Sequence, residues 1–304
     1  MFSLITTTLE LAFIGSLTVL ALYLSYLTLN VCDLSTDGCF TLGASTAAVV
    51  SLSGHPFLAV PAAMIAGILS GLVVSVMQTY LGINSLLSGI ILNTALYSVN
   101  IFVMGNTSLL NLNKTPTIYT AAKQLFENSF LSAVSFLIVD IFFVCAVVFF
   151  LYRFLKTRIG LGIRATGDNP FMVEASSIDP RITSIIALCI SGSFTALSGA
   201  LLGLSQKSVN IDIGNGMVTI ALASLLIGRI LYHGNNHAIG LPCCVLGSLV
   251  FRSVYAAALR MNMPAYMLKL VSACIVAVTI CVPYIRKQLP FFARKRVIAR
   301  GARS

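Results

Sequence analysis

The stretch Gly160-Leu-Gly-Ile-Arg-Ala-Thr-Gly-Asp-Asn-Pro170 decides how this chain is read. It is a polar, glycine-rich insert in a sequence that is otherwise almost all apolar. An apolar run, 131–152, precedes it, followed by Arg153, Lys156 and Arg158, and a second run begins near Ile182. Asp168 and Asn169 are good helix N-cap residues, and Pro170 suits the first helical position. The pattern predicts a glycine-rich turn through Gly160, Gly162 and Gly167, then a short amphipathic helix from Pro170 to Ile178 that ends before Asp179-Pro180. A bare connection between two spans needs no such cap. The insert therefore reads as a handle offered to a partner on the basic side of a membrane, against the plainer alternative of an interfacial loop helix.

Working outward, the chain is 58% hydrophobic and 9% charged over 304 residues, where an ordinary soluble domain is about 25% charged. Its mean hydropathy is +0.96. Apolar runs cover 8–30, 40–54, 56–78, 85–105, 131–152, 182–205, 216–232, 238–258 and 265–285. Runs of about 20 residues suffice to cross a bilayer as helix. The expected fold is an all-α, polytopic transmembrane helical bundle of about 8–10 spans. It forms one domain over 1–285, with a basic tail over 286–304. Run 40–54 is too short for an ordinary span and follows Asp33-Leu-Ser-Thr-Asp37-Gly38. It reads as a broken or deeply buried second helix, which membrane depth tolerates only where protein or a water-filled cavity covers the backbone. The first run lacks a basic flank and a small-residue cleavage site, so it is expected to be retained.

The net charge of +10 does not indicate nucleic acid, because of where the charge lies. Seven Lys/Arg follow Pro283 and five more lie from Arg153 to Arg181. These flank spans, as the positive-inside rule expects, so this side and the C-terminus are assigned to the cytoplasm. The tail also suits anionic lipid headgroups. The N-terminus falls outside if all nine runs cross and inside if run 40–54 does not. The longest polar loop, 106–130, is then external and holds a possible short helix from Tyr119 to Phe126. It reads equally as a lid or as a docking surface. The eight cysteines show no ligand spacing, and His233 and His237 read as loop residues.

Catalytic patterns are lacking. There is no G-x-x-x-x-G-K-[ST] for ATP, and no cofactor is expected. Asp140 lies within an apolar run, and Asp33 and Asp37 lie in the break. Buried ionisable groups at such depth are expected to be paired, and Arg252 and Lys269 are the available cations. Structural ion pairs and an ion-coupled site both remain open. Gly89, Asn93, Tyr97 and Asn100 share one helical strip, which either packs against neighbours or lines a pathway. Gly67-x-x-x-Gly71 and Gly199-x-x-x-Gly203 are signals for close helix contact. Asp37-Gly-Cys-Phe-Thr-Leu-Gly43 and Asn215-Gly-Met-Val-Thr-Ile-Ala221 share a pattern, each after an Asp-containing break (Asp33 and Asp212). An inverted repeat whose broken helices meet near a midplane pathway leaves such a mark.

Leu161-Gly-Ile-Arg-Ala-Thr-Gly-Asp-Asn-Pro170, with Ala175 and Ile178-Asp179, resembles the cytoplasmic coupling segment of bacterial ABC-importer permeases. The branch is that of branched-chain amino acid, ribose and nucleoside permeases, and within it the tryptophan/tyrosine-type group. Asp33 to Ala44, Ser88-Gly-Ile with Thr94 to Asn100 and Met104-Gly105, and Ile211 to Gly216 with Ala223-Ser and Ile227-Gly228 agree with that group. The similarity spans about 5–285. It implies a non-enzymatic permease subunit in the cytoplasmic (inner) membrane, present in two copies. It also implies a separate P-loop ATPase, an external substrate-binding protein, and an amino acid or similar small solute as cargo. ATPase coupling is expected at Gly160, Gly162, Arg164, Gly167, Asp168, Asn169, Pro170 and Glu174. The translocation path is expected at Asp33, Asp37, Gly89, Asn93, Asn100, Asp212 and Asn215. Arg229 departs from the group, where an acid often follows the Ile-Gly pair. The rival readings are an ion-coupled secondary transporter using Asp140 or the Asp33/Asp37 break, and, more remotely, a membrane enzyme.

Overall fold

The computed structural model describes residues 2–113, 115–125, 135–232, 237–260, 270, 272–279 and 281. Helix α1 (Phe2–Leu22) continues as a π-helical segment, Tyr23–Thr28, and α2 is Thr36–Leu52. Then come α3 (Ala59–Thr79), α4 (Ser85–Val103), strand β1 (Leu109–Asn111), α5 (Ile118–Leu125) and α6 (Ser135–Leu155). The glycine-rich insert forms α7 (Arg158–Asp168) and α8 (Pro170–Ala175). The remaining elements are α9 (Pro180–Gln206), β2 (Ser208–Asn210), α10 (Met217–Leu231) and α11 (His237–Arg260). The expected all-α bundle is what forms. Among the described residues, six helices are long and apolar enough to cross a membrane, in α1, α3, α4, α6, α9 and α11. Helix α10 is apolar but shorter, and α2 has 17 residues. Most of run 265–285, with Lys269, the tail and His233, lies outside the described residues.

Helix α9 is the centre of the core because its faces are small. Ser191, Gly192, Ala196, Ser198, Gly199, Ala200 and Gly203 are all buried, so neighbouring backbones approach closely, the usual solution in lipid. A Cβ at Gly199 would overlap the Phe40 carbonyl oxygen, and one at Gly43 would overlap Ala196. On α3, Gly67 and Gly71 meet the backbone at Gly192 and Leu188. Two interhelical hydrogen bonds add direction: Ser191 Oγ donates to Ala21 O at 3.0 Å and Ser198 Oγ to Ile14 O at 2.6 Å.

These contacts fix relative directions. Helix α1 runs antiparallel to α9, since 14 pairs with 198 and 21 with 191. Helix α2 runs parallel to α9, with 39 beside 192 and 44 beside 203. Helix α11 lies antiparallel to α1, with Gly240 near Tyr23 and Ser248 bonded to Ala12 O. Helix α10 runs antiparallel to α11, with Gly247 at Ser224 and Gly228 at Cys243. Helices α2 and α10 therefore point in opposite directions. The N-terminal end of α1 lies on the face opposite to α7 and α8, which settles in relative terms what the runs alone left open. Lys207 and Arg260 also end helices on that opposite face, while Arg153, Arg158, Arg164, Arg181 and Arg229 lie toward the α7–α8 face.

The loop after α4 is tied down in a way the sequence did not signal. Strand β1 pairs antiparallel with β2, with Leu110 opposite Val209. The short helix expected at 119–126 is α5, at Ile118–Leu125. Its Tyr119 is fully buried and donates to Asp140 Oδ1 of α6.

Candidate functional site

Two regions carry the candidate residues. The first is the insert on the basic face. The expected glycine-rich turn is instead helix α7. Thr157 caps it, accepting from Gly160 N at 3.2 Å, and its three glycines have ordinary helical backbone. Two of them, Gly160 and Gly167, exclude a side chain because of what lies against them. A Cβ at Gly160 would overlap the Phe154 carbonyl oxygen, one at Gly167 would overlap that of Thr28, and one at Gly162 would touch Thr183. Gly160 and Gly167 thus seat the insert closely on its own chain.

Asp168 is the exposed last residue of α7 rather than a cap of the next helix. Asn169 alone caps α8, its Oδ1 accepting from Phe171 N at 3.1 Å and Met172 N at 3.3 Å. Pro170 takes the first helical position as expected, but α8 stops at Ala175, three residues short of Ile178. Ser177, at φ +61°, turns the chain out of the helix. Arg164 is half-buried. Glu174 is exposed. Sequence reasoning missed the most prominent feature: Phe171 is 80% exposed and Met172 65%, side by side at the start of α8.

The second region is the break. Cys39 is level with Gly192, halfway along the 27-residue α9, so α2 begins near the middle of the bundle. Helix α10 begins there too, because Asp37 holds its first turn. Asp37 Oδ2 accepts from Gly216 N at 3.0 Å and Oδ1 from Val218 N at 2.8 Å. One carboxylate therefore serves two helix N-termini that face each other, where positive dipole ends favour a negative group. The shared Asp/Asn-Gly pattern falls at the N-termini of these two oppositely directed helices, as an inverted repeat would place it.

The expected ion pairs do not form among the described residues. Asp33 is buried and accepts from its own turn, Ser35 N at 2.8 Å and Ser35 Oγ at 2.7 Å. Arg252 reaches Gly15 of α1 instead. The α4 strip divides. Gly89 packs on Leu34, and Asn100 is 1% exposed and donates to Gly38 O at 3.2 Å. Asn93 is half-buried against Gly38, and Tyr97 is exposed. A strip drawn 40° wider per four-residue step drifts off the buried face, which explains the split. Asn215, Asp212 and Thr219 are exposed beside Asp37, with Asn215 Nδ2 donating to Asp212 Oδ1 at 2.8 Å. The structure thus brings Asp37, Asn93, Asp212 and Asn215 to one neighbourhood and turns Asp33, Gly89 and Asn100 into packing.

Residues 4–281 match the protein family described as branched-chain amino acid transport system, permease component. The chain is 28% identical over 262 residues to the tyrosine transport system permease protein of Clostridioides difficile, covering 86% of this chain and 85% of that one. It is 28% identical to the probable branched-chain amino acid transport permease protein LivH of Methanocaldococcus jannaschii, over 70% of this chain and 69% of that one. It is 27% identical to the D-allose transport system permease protein AlsC of Escherichia coli, over 73% of this chain and 65% of that one. No solved structure matches the chain significantly.

Proposed function

The chain belongs to the branched-chain amino acid transport permease family, and from that premise we propose that it is the membrane-spanning subunit of an ATP-driven importer. An amino acid or similar small solute is delivered by an external binding protein, and a separate cytoplasmic ATPase drives its passage. Two copies of the chain sit in the cytoplasmic membrane, with α7, α8 and the C-terminal tail inside. The family's amino acid and sugar relatives support a small polar cargo, and the 28% identity to a tyrosine permease favours an amino acid.

The observation that carries this reading is the α7–α8 element. It is anchored to its own chain through Gly160 and Gly167. Outward it presents two adjacent large apolar side chains, Phe171 and Met172. A six-residue helix is too short to be stable alone in water, so it depends on the Asn169 cap and on what covers its apolar side. Exposed aromatic and Met anchors suit a pocket on a partner protein. The path is assigned to the neighbourhood of Asp37, Asn93, Asp212, Asn215 and Thr219, where the two broken helices begin. Asp140 is less suited to ion coupling, being sealed under α5 by Tyr119.

The test is co-purification. Phe171→Asp together with Met172→Asp should release the ATPase subunit while leaving the permease in the membrane at its usual level. Undiminished ATPase association would refute the assignment of α8 as the docking helix.

A further inference from the structure

We infer that Asn30 is the positioning residue through which the α7 coupling segment acts on the break that opens the path. The inference rests on the importer reading above and adds a residue and a route to it.

Two observations meet at one place. The chain between α1 and α2 has the build of a hinge. Helix α1 leaves α-geometry at Tyr23–Thr28 and becomes π-helical, a form that is rare and concentrates at functional sites. Asn30 then takes a left-handed backbone, φ +57°, which Asn tolerates better than most residues. The turn that follows is held by Asp33 on Ser35 and delivers the chain to Asp37 at the start of α2. Separately, the C-terminal turn of α7 rests on this hinge. Asn30 Nδ2 donates to Gly167 O at 2.8 Å, across 137 residues of sequence. Gly167 lies so close to the Thr28 carbonyl that no side chain fits there.

The carbonyl at 167 belongs to the last turn of α7, where main-chain oxygens lack helical partners. Asn30 supplies the missing donor. A displacement of α7 is thereby passed to residues 28–30, along the short turn to Asp37, and through the Asp37 carboxylate to the first turn of α10. The contact of α7 with α9, Thr166 Oγ1 to Thr183 Oγ1 at 2.8 Å, leads into the small-residue core, where close packing resists movement. The hinge is the compliant way from the basic face to the middle of the bundle.

The experiment uses the permease assembled with its ATPase and binding protein. Asn30→Asp keeps the shape and the left-handed tolerance but has no N–H to donate, and Asn30→Gly removes the side chain without backbone strain. Both should lower solute uptake per ATP hydrolysed by about five-fold or more, the scale of an allosteric coupling, with ATPase association unchanged. In the unaltered protein, amide exchange over 29–37 should change when a non-hydrolysable ATP analogue is added, and should not change in Asn30→Asp. Normal coupling in both variants, or no change in exchange over 29–37 in the unaltered protein, would overturn the inference. Uptake by the purified permease alone, driven by an ion gradient and indifferent to ATP, would instead overturn the reading on which it rests.

Discussion

Asp37→Asn should loosen the junction between α2 and α10 without unfolding the bundle. The carboxylate accepts two main-chain N–H bonds, at 2.8 and 3.0 Å, from the first turn of α10. Asparagine keeps one acceptor oxygen and turns an amide NH2 toward the other N–H, so about one bond to a charged group is lost, roughly 1.5–3 kcal/mol. Removing the charge also forfeits about 0.3–1 kcal/mol of interaction with the α10 dipole. Asp37 is half-buried, so the lower end of each range applies, and the sum is about 2 kcal/mol, or about 30-fold in a local opening equilibrium. Amide exchange of the purified protein, read on peptides spanning 212–222, should show the amides of Gly216 and Val218 exchanging about 30-fold faster. Asp37→Glu should recover part of the protection. Unchanged exchange at 216 and 218, or equal acceleration along α9, would refute the bridging role.

Gly43→Ala and Gly199→Ala should abolish recovery of monodisperse protein in detergent, because each Cβ would overlap main chain of the facing helix. Gly54→Ala, at φ +90° with open space around it, should cost only about 1–2 kcal/mol of strain and lower the melting midpoint slightly. In a cysteine-free background, single cysteines at Asn215 and Thr219 should react with water-borne maleimides faster than one at Asn100, which is sealed against Gly38. Equal rates would dismiss the assigned path surface. Asp140→Asn preserves an acceptor for Tyr119 and should retain uptake. Asp140→Leu strands a buried hydroxyl and should destabilise by about 1–3 kcal/mol in a thermal unfolding assay. Loss of uptake in Asp140→Asn would revive the ion-coupled reading.

Much of the bundle was legible because lipid imposes length and hydropathy on each span. The break before α2 was legible from Asp33 to Gly38, and the paired Asp-Gly and Asn-Gly signatures pointed to the two opposed helix starts. What escaped the sequence depended on tertiary contact. Glycine costs about 1 kcal/mol in a helix interior, so Gly160, Gly162 and Gly167 argued for a turn. Packing on Phe154 and Thr28 requires glycine at 160 and 167 and overrides that propensity, while at Gly162 a Cβ would make only ordinary contact with Thr183. Thr157 was the available sign of a helix start. The β1–β2 pair is three residues long on each side, too short for any periodic pattern. Asn100 had the right spacing for a pathway strip, but spacing does not tell a packed face from a wet one. Phe171 and Met172 follow an N-cap and a proline, and that position could have marked them as the exposed anchors.

As an ATP-driven permease, this chain should move solute only when an ATPase drives it through the basic-face element. The direct measurement is solute accumulation in proteoliposomes, with the solute carried by the binding protein. The chain should accumulate it only with the ATPase and ATP inside the vesicle, in proportion to ATP hydrolysed, and Phe171→Asp with Met172→Asp should stop it. Accumulation by the purified chain alone, driven by a proton or sodium gradient and indifferent to ATP, would contradict the account.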